Sequence, residues 1–475
     1  MSDNYRKVNT VLRYSRGTNR NGFSLTGLGY WATWRSTDQV ATRAIASGRI
    51  PRFGNLDNTD GGQANRQSVT AEFQRPLGAG ALRGTAYVLR NSLNLFSNFT
   101  YFLDDPVRGD QFEQAERRTT LGGRLTYRRL GHFFERHAES AVGLNVRRDW
   151  LRPVGLYRTQ ARARLSTTRE DQVGQTMSGV YAQSEIEWAR RLRTTLGVRG
   201  DLYQYDVDSD TAVNSNSGSA GLVSPKFTAA IGPWAGTEFY ASAGMGFHSN
   251  DARGAAIRVD PATGEPAPRV TPLVRGRGAE LGVRTVKLDG LQSTLSLWYL
   301  GLDSELLFVG DAGTSEPGRP SRRVGLEWTN YARLRSWLTL DADLALSRAR
   351  YRDADPAGQN IPGALDRVIS GGVTVEPKQP LFGSLRVRHF GPRPLVEDAS
   401  VTSKSTTLWN GEVGYRASAK ARLVLEVFNI FNASVADIDY FYTSRLPGEP
   451  ADGVDDVHTH PALPRGARLG VQVTF

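Results

Sequence analysis

Apolar and polar residues alternate with a period of two along most of this chain, most cleanly at its C-terminus. There Leu469, Val471, Val473 and Phe475 fall on one face, and Gly470, Gln472 and Thr474 on the other. Strand side chains point alternately to opposite faces, so the pattern predicts a half-buried strand. Leu338, Leu340, Ala342, Leu344 and Leu346 are set in the same way against Thr339, Asp341, Asp343 and Ser347. Trp409, Gly411, Val413 and Tyr415 alternate with Asn410, Glu412, Gly414 and Arg416, and Leu196, Val198 and Leu202 oppose Thr195, Arg199, Asp201 and Tyr203. One face is consistently apolar while the other is polar or carries charge of both signs. No stretch shows a helical stripe over three turns, and no window approaches the roughly eighteen consecutive apolar residues of a transmembrane helix.

The connections alternate in length. Long segments near 432–465, 392–404, 351–363 and 304–321 alternate with short turns near 417–420, 377–380, 333–335 and 288–289. The long ones hold Pro, Gly, Asp and Asn, as turn chemistry requires. Short periplasmic turns and long external loops characterise bacterial outer-membrane barrels. A terminal strand would leave an aggregation-prone edge in water, and closure in a membrane removes it. The expected fold is therefore all-β, a transmembrane antiparallel β-barrel. With the C-terminus periplasmic, Trp188, Trp234 and Trp337 fall beside periplasmic turns and Trp31, Trp34 and Trp150 toward the outer ends, as an aromatic girdle requires. If 149–172 is one external excursion, about nineteen strands are expected, the first running from outside inward, although single-chain bacterial barrels have even strand numbers. The count predicts that an odd number of strands is missing upstream.

Composition narrows the function. With no cysteine among 475 residues there is no disulfide framework, thiolate metal site or thiol catalysis. The net charge is +11, and all but six of the 59 basic residues are arginine. They are scattered through the strands with no compact basic run, so no nucleic-acid partner is expected. The segment from Met1 to Val8 lacks the apolar core of a secretory signal.

Several motifs resemble the barrel of TonB-dependent outer-membrane receptors. The stretch from Ala421 to Asn432, Ala-Arg-Leu-Val-Leu-Glu-Val-Phe-Asn-Ile-Phe-Asn, is similar to the family's penultimate strand, and a long loop and a terminal Phe strand follow it. Phe239 to Phe247, preceded by Ser224-Pro-Lys226, resembles a second signature. Val180-Tyr-Ala-Gln183 with Leu196 to Asp201, and Glu280-Leu-Gly-Val-Arg284, resemble others. The resemblance is strongest over 180–475. It implies a barrel of about 22 strands, a class plugged by a separate domain, and import of a scarce ligand such as a ferric siderophore, driven through the TonB complex at the inner membrane. This chain shows no plug-like region and no TonB box. The expected domain is residues 1–475 as the C-terminal portion of the receptor barrel, with the plug and first strands absent, in the outer membrane of a Gram-negative bacterium.

The expected partners are outer-membrane lipid, the barrel-assembly machinery, the TonB complex in a full-length form only, and a small-molecule ligand at the external loops 34–63, 97–116, 248–274 and 432–465. Leu469, Val471, Val473 and Phe475 resemble the assembly machinery's recognition signal, and equally form a lipid-facing last strand. Arg386, Arg388, Arg416, Arg422 and Arg468 face the lumen by alternation, as do Glu412, Asp341 and Asp343. They form either a cationic lumen or, as neighbouring acids favour, cross-strand ion pairs. His458 and His460 with Asp452, Asp455 and Asp456 match no closed metal site, so a solvated loop is expected and no metal or cofactor. His389 reads as an interfacial side chain. No serine, histidine and acid motif supports an enzyme. The alternatives left open are a passive porin-like channel and an outer-membrane enzyme.

Overall fold

The structure, a computed structural model, describes residues 4–36, 39–309 and 314–474. Nineteen strands form one sheet, each antiparallel to its neighbours in chain order once the short loop strands are set aside. It begins with Arg6–Gly17 and Gly22–Arg35 and ends with Ala421–Phe428 and Gly466–Val473. Among the described residues no ladder joins these two edges, so the sheet is not closed, and no globular plug is present.

Register makes the two faces explicit. Leu281, Leu297, Leu326 and Leu346 lie directly opposite one another across four successive strands. They belong to the outward apolar face, on which Leu297 is 55% exposed and Leu281 62%. Only lipid makes that arrangement favourable, since burying such a side chain is worth about 1.5–3 kcal/mol. The opposite face is polar because it borders the lumen.

A family signature has a packing explanation here. Tyr240 lies opposite Gly282, and its ring covers the position where a β-carbon on Gly282 would collide. The Tyr-Ala-Ser strand and the Leu-Gly-Val-Arg strand are thus two halves of one aromatic-over-glycine contact, and Tyr240 Oη donates to Glu280 Oε1 at 2.6 Å.

Strand lengths differ widely. Arg136–Gln160 and Ala163–Ala189 have 25 and 27 residues, far more than the roughly 9–11 that cross a bilayer. They project outward as a continuous hairpin that turns at Ala161 and Arg162, whose φ values are 48° and 68°. The external excursion expected at 149–172 is present and is built of paired strand, which leaves the count at nineteen. The turn expected at 333–335 falls at Ser336 and Trp337, because a bulge between Arg333 and Arg335 keeps Arg335 paired with Leu338. Trp34 lies on the lumen face, over Gly62, rather than in an outward girdle.

Candidate functional site

Folded loop assemblies cover the external end of the sheet, among them one built around His458 and one built around the 250–272 helix. The first joins loops from opposite ends of the chain. Ala436–Ser444 and Val454–Pro461 form a hairpin, and Val40–Ala41 adds to its edge, pairing with His458 and Thr459. The one-turn helix Thr42–Ala46 follows. Its Arg43 donates to Glu449 and to the Ser444 carbonyl, each at 2.8 Å, while Thr42 Oγ1 donates to Asp456 Oδ1 at 2.7 Å. Tyr101, from a third loop, donates its hydroxyl to the Gln39 carbonyl at 2.7 Å and accepts from the Ala41 amide at 3.0 Å.

His458 sits at the centre of this assembly, fully buried. Its ring stacks on Tyr442 with centroids 3.7 Å apart, Nε2 lies 2.7 Å from Ser444 Oγ, and Nδ1 lies 3.0 Å from the Asp456 carbonyl oxygen. Burial depresses its pKa to about 4, with Asp456 pulling the other way. The solvated loop expected around His458 is thus a packed three-stranded sheet, and both imidazole nitrogens are committed to it. Asp455 accepts from Thr443 and Asp456 from Thr42 and Arg43.

The second assembly folds against the inner wall. The helix Ala252–Ala256 in the 250–272 loop packs Ala252, Ala255 and Ala256 on Leu151, Val154, Val173, Tyr203, Tyr205 and Val207. Alternation puts Tyr203, Tyr205 and Val207 opposite the outward Leu202, hence on the lumen face. A charged layer closes the contact: Asp251 pairs with Arg253 at 2.7 Å, and the completely buried Arg169 and Asp171 pair at 2.5 Å. Burial opposes ionisation of Asp251, but Arg253 outweighs it and holds the carboxyl well below the usual range.

In the lumen the charges are matched across and along strands. Arg386 pairs with Asp341 at 2.7 Å and Arg468 with Glu426 at 2.5 Å across strands, and Arg199 pairs with Asp201 two residues along its own strand at 2.6 Å. Arg416 pairs with Glu376 at the inner rim at 3.0 Å, and Arg422 lies over the Phe382 ring. Ser370 donates to Asp343. Neutralising pairs thus account for Arg386, Arg416 and Arg468, whereas Arg388 and Arg422 lie over the Phe390 and Phe382 rings. His389 faces outward, with Nδ1 2.8 Å from Thr407 Oγ1. In the last strand Leu469, Val471 and Val473 are 68%, 71% and 50% exposed on the outward face; Phe475 lies outside the described residues. The two folded loop assemblies escaped sequence reasoning, apart from the short Ala-Arg-Gly-Ala-Ala run at Ala252 that offers a helical turn.

Comparison with known proteins agrees with this architecture. Residues 2–430 match the family model described as TonB dependent receptor-like, beta-barrel. No curated protein matches significantly. Among solved structures, the ferric-catecholate import receptor Fiu of E. coli K12 in its closed form superposes with a TM-score of 0.75 at 12% identity, covering 99% of this chain and 75% of that one. The ferric citrate transporter FecA gives 0.75 at 15%, covering 98% and 69%. The ferric yersiniabactin uptake receptor FyuA of Yersinia pestis gives 0.75 at 13%, covering 99% and 71%. With the family match spanning most of its length, this chain belongs to the β-barrel family of TonB-dependent receptors, proteins of the Gram-negative outer membrane.

Proposed function

We propose that this chain is the barrel and loop portion of a receptor for TonB-energised uptake of a scarce ligand such as a ferric siderophore. The observation that carries the reading is the external mouth: two packed loop assemblies, one folded inward onto the lumen wall, stand on a sheet that superposes on receptors named for ferric chelates. Rigidly held loops around a lumen whose charges are paired suit capture of a bulky complex better than free diffusion of ions. The chain acts as a receptor rather than as an enzyme. Among the described residues the outer edges of Arg6–Gly17 and Gly466–Val473 carry no ladder, which is costly in lipid; in this reading further strands complete the wall, and the plug domain of the full receptor gates it. The outward row Leu469, Val471 and Val473, with Phe475, serves recognition by the barrel-assembly machinery.

Titrating refolded protein with ferric catecholate, ferric citrate or ferric yersiniabactin, with tryptophan fluorescence as readout, tests this. Saturable quenching by at least one is expected, and its loss when 250–272 is replaced by a Gly-Ser linker. Absence of saturation together with a steady wide conductance in planar bilayers would instead establish a passive channel. Uptake by cells expressing a form with plug and TonB box should cease when TonB is deleted.

A further inference from the structure

We propose that the outward rim just external to the apolar belt, on the strands from Leu273–Thr285 to Arg367–Val375, is a binding site for the phosphates of an anionic lipid in the surrounding outer leaflet. The proposal rests on outer-membrane placement and not on the ligand taken up.

The leucine row Leu281, Leu297, Leu326 and Leu346 marks the belt. Two residues further out the row reads Ala279, Tyr299, Val324 and Arg348, and two beyond that Arg277, Gly301, Arg322 and Arg350. On the next strand Arg367 lies opposite Leu346. The face turns from wholly apolar to cationic within four residues, roughly 13 Å of strand. Arg322 and Arg350 stand directly opposite each other, an arrangement of like charges that destabilises a sheet unless an anion lies between them.

These arginines lack the partners found elsewhere in the molecule. Arg323, next in sequence to Arg322 but facing the lumen, pairs with Glu305 at 2.6 Å. Among the described residues, Arg275, Arg322, Arg348, Arg350 and Arg367 enter no ion pair. Arg350 donates only to the carbonyl of Ala349 at 2.9 Å, and Arg275 to the weak acceptor Met245 Sδ at 3.3 Å. Asp303 on this rim is taken by Arg277 at 2.8 Å and Arg352 at 3.3 Å. Tyr299 leans over Gly301, its hydroxyl 2.8 Å from where a β-carbon there would sit, so a phenol stands between Arg277 and Arg322.

The surface also has room for an acyl group. A recess of about 870 Å³ is floored by Leu297 and Leu346 of the belt with Val324 above them, flanked by Arg348 and Arg350, and walled on its outer side by loop residues of 360–366 and 392–402, Asp366 among them. An apolar floor below a cluster of guanidinium groups is complementary to a molecule with hydrocarbon at one end and phosphate at the other. Arginine suits the phosphate because its fork donates two parallel hydrogen bonds to one anion.

The test uses the full chain in neutral detergent, titrated with diphosphorylated lipid A, its dephosphorylated form and inorganic phosphate, with bound lipid counted by native mass spectrometry. Diphosphorylated lipid A is expected to bind, and the combined Arg322→Gln, Arg348→Gln, Arg350→Gln variant to bind at least tenfold more weakly. The lumen change Arg386→Gln should leave affinity unaltered. The triple variant relieves a like-charge contact, so its melting temperature without lipid should not fall; if it fails to fold, single Arg348→Gln carries the test with at least a threefold loss. Equal binding of dephosphorylated lipid, full competition by inorganic phosphate, or wild-type affinity in the variants would overturn the proposal.

Discussion

Two loop assemblies at the external mouth are held by opposite means. The 250–272 loop is seated by apolar contact with the lumen wall and by buried charges, Asp251 with Arg253 and Arg169 with Asp171. The 429–465 loop instead builds its own sheet and captures the 36–60 loop through hydrogen bonds centred on Arg43, Tyr101 and His458. One assembly depends on the barrel strands beneath it, whereas the other depends on a meeting of two chain segments above them. They should therefore fail under different insults.

The largest contrast should come from Asp171→Ala. Removing the counter-ion of a completely buried Arg169 costs about 3–5 kcal/mol. Hydrogen exchange should then show 250–272 losing protection while 436–461 keeps its own; equal loss in both would mean that the assemblies form one cooperative unit. Acidification should do the reverse. The folded pKa of His458 is about 4 against an ordinary value near 6.5, so its contribution is complete above the ordinary value and is lost as pH falls toward the folded one. That is about 3 kcal/mol between pH 7 and pH 4. Exchange at 436–461 should rise over this window and His458→Gln should abolish the dependence. The 250–272 loop should not weaken with it: Arg253 holds Asp251 ionised, and burial raises the pKa of the Asp171 carboxyl, so that its protonation on acidification favours the folded form.

Arg43→Gln should cost about 1.5–3 kcal/mol, the value of hydrogen bonds to charged groups, read as a lower urea midpoint for exchange at Val40 and Ala41. The smallest effect belongs to the lumen. Arg386 is half exposed beside Asp341, so Arg386→Gln should change the barrel's unfolding free energy by only about 0–1 kcal/mol, with neither loop affected. A larger change there would show that lumen pairs also brace the mouth.

Strand number and most loop positions could be read from the sequence because each depends on local period and turn chemistry, whereas the bulge that moves the turn after Arg335 to Ser336 and Trp337 breaks that period. Alternation around Leu344 or Val413 fixes a face without knowledge of any neighbour. The mouth was hidden for the opposite reason. His458, flanked by Asp455, Asp456 and His460, looks solvated in isolation, and becomes core only because Tyr442, Tyr101 and Val40–Ala41 arrive from elsewhere. Tyr203 and Val207 likewise read as ordinary lumen residues until the alanines at 252–256 cover them. The paired arginines were legible as a class, since Arg386 and Asp341 share a face, but the contrast between Arg322 and Arg323 needed register across four strands.

The contact of Thr42 with Asp456 closes a ring of chain 414 residues around. Chain entropy penalises so remote a contact when the rest is disordered, although the penalty grows only logarithmically with length. Once the sheet has zipped from neighbour to neighbour, the two segments are brought within reach and nearly all of that penalty has been met. The clasp is thus a reporter of how far the sheet has assembled: Val40 and Ala41 should gain protection only after the strands between them and the 429–465 loop have paired.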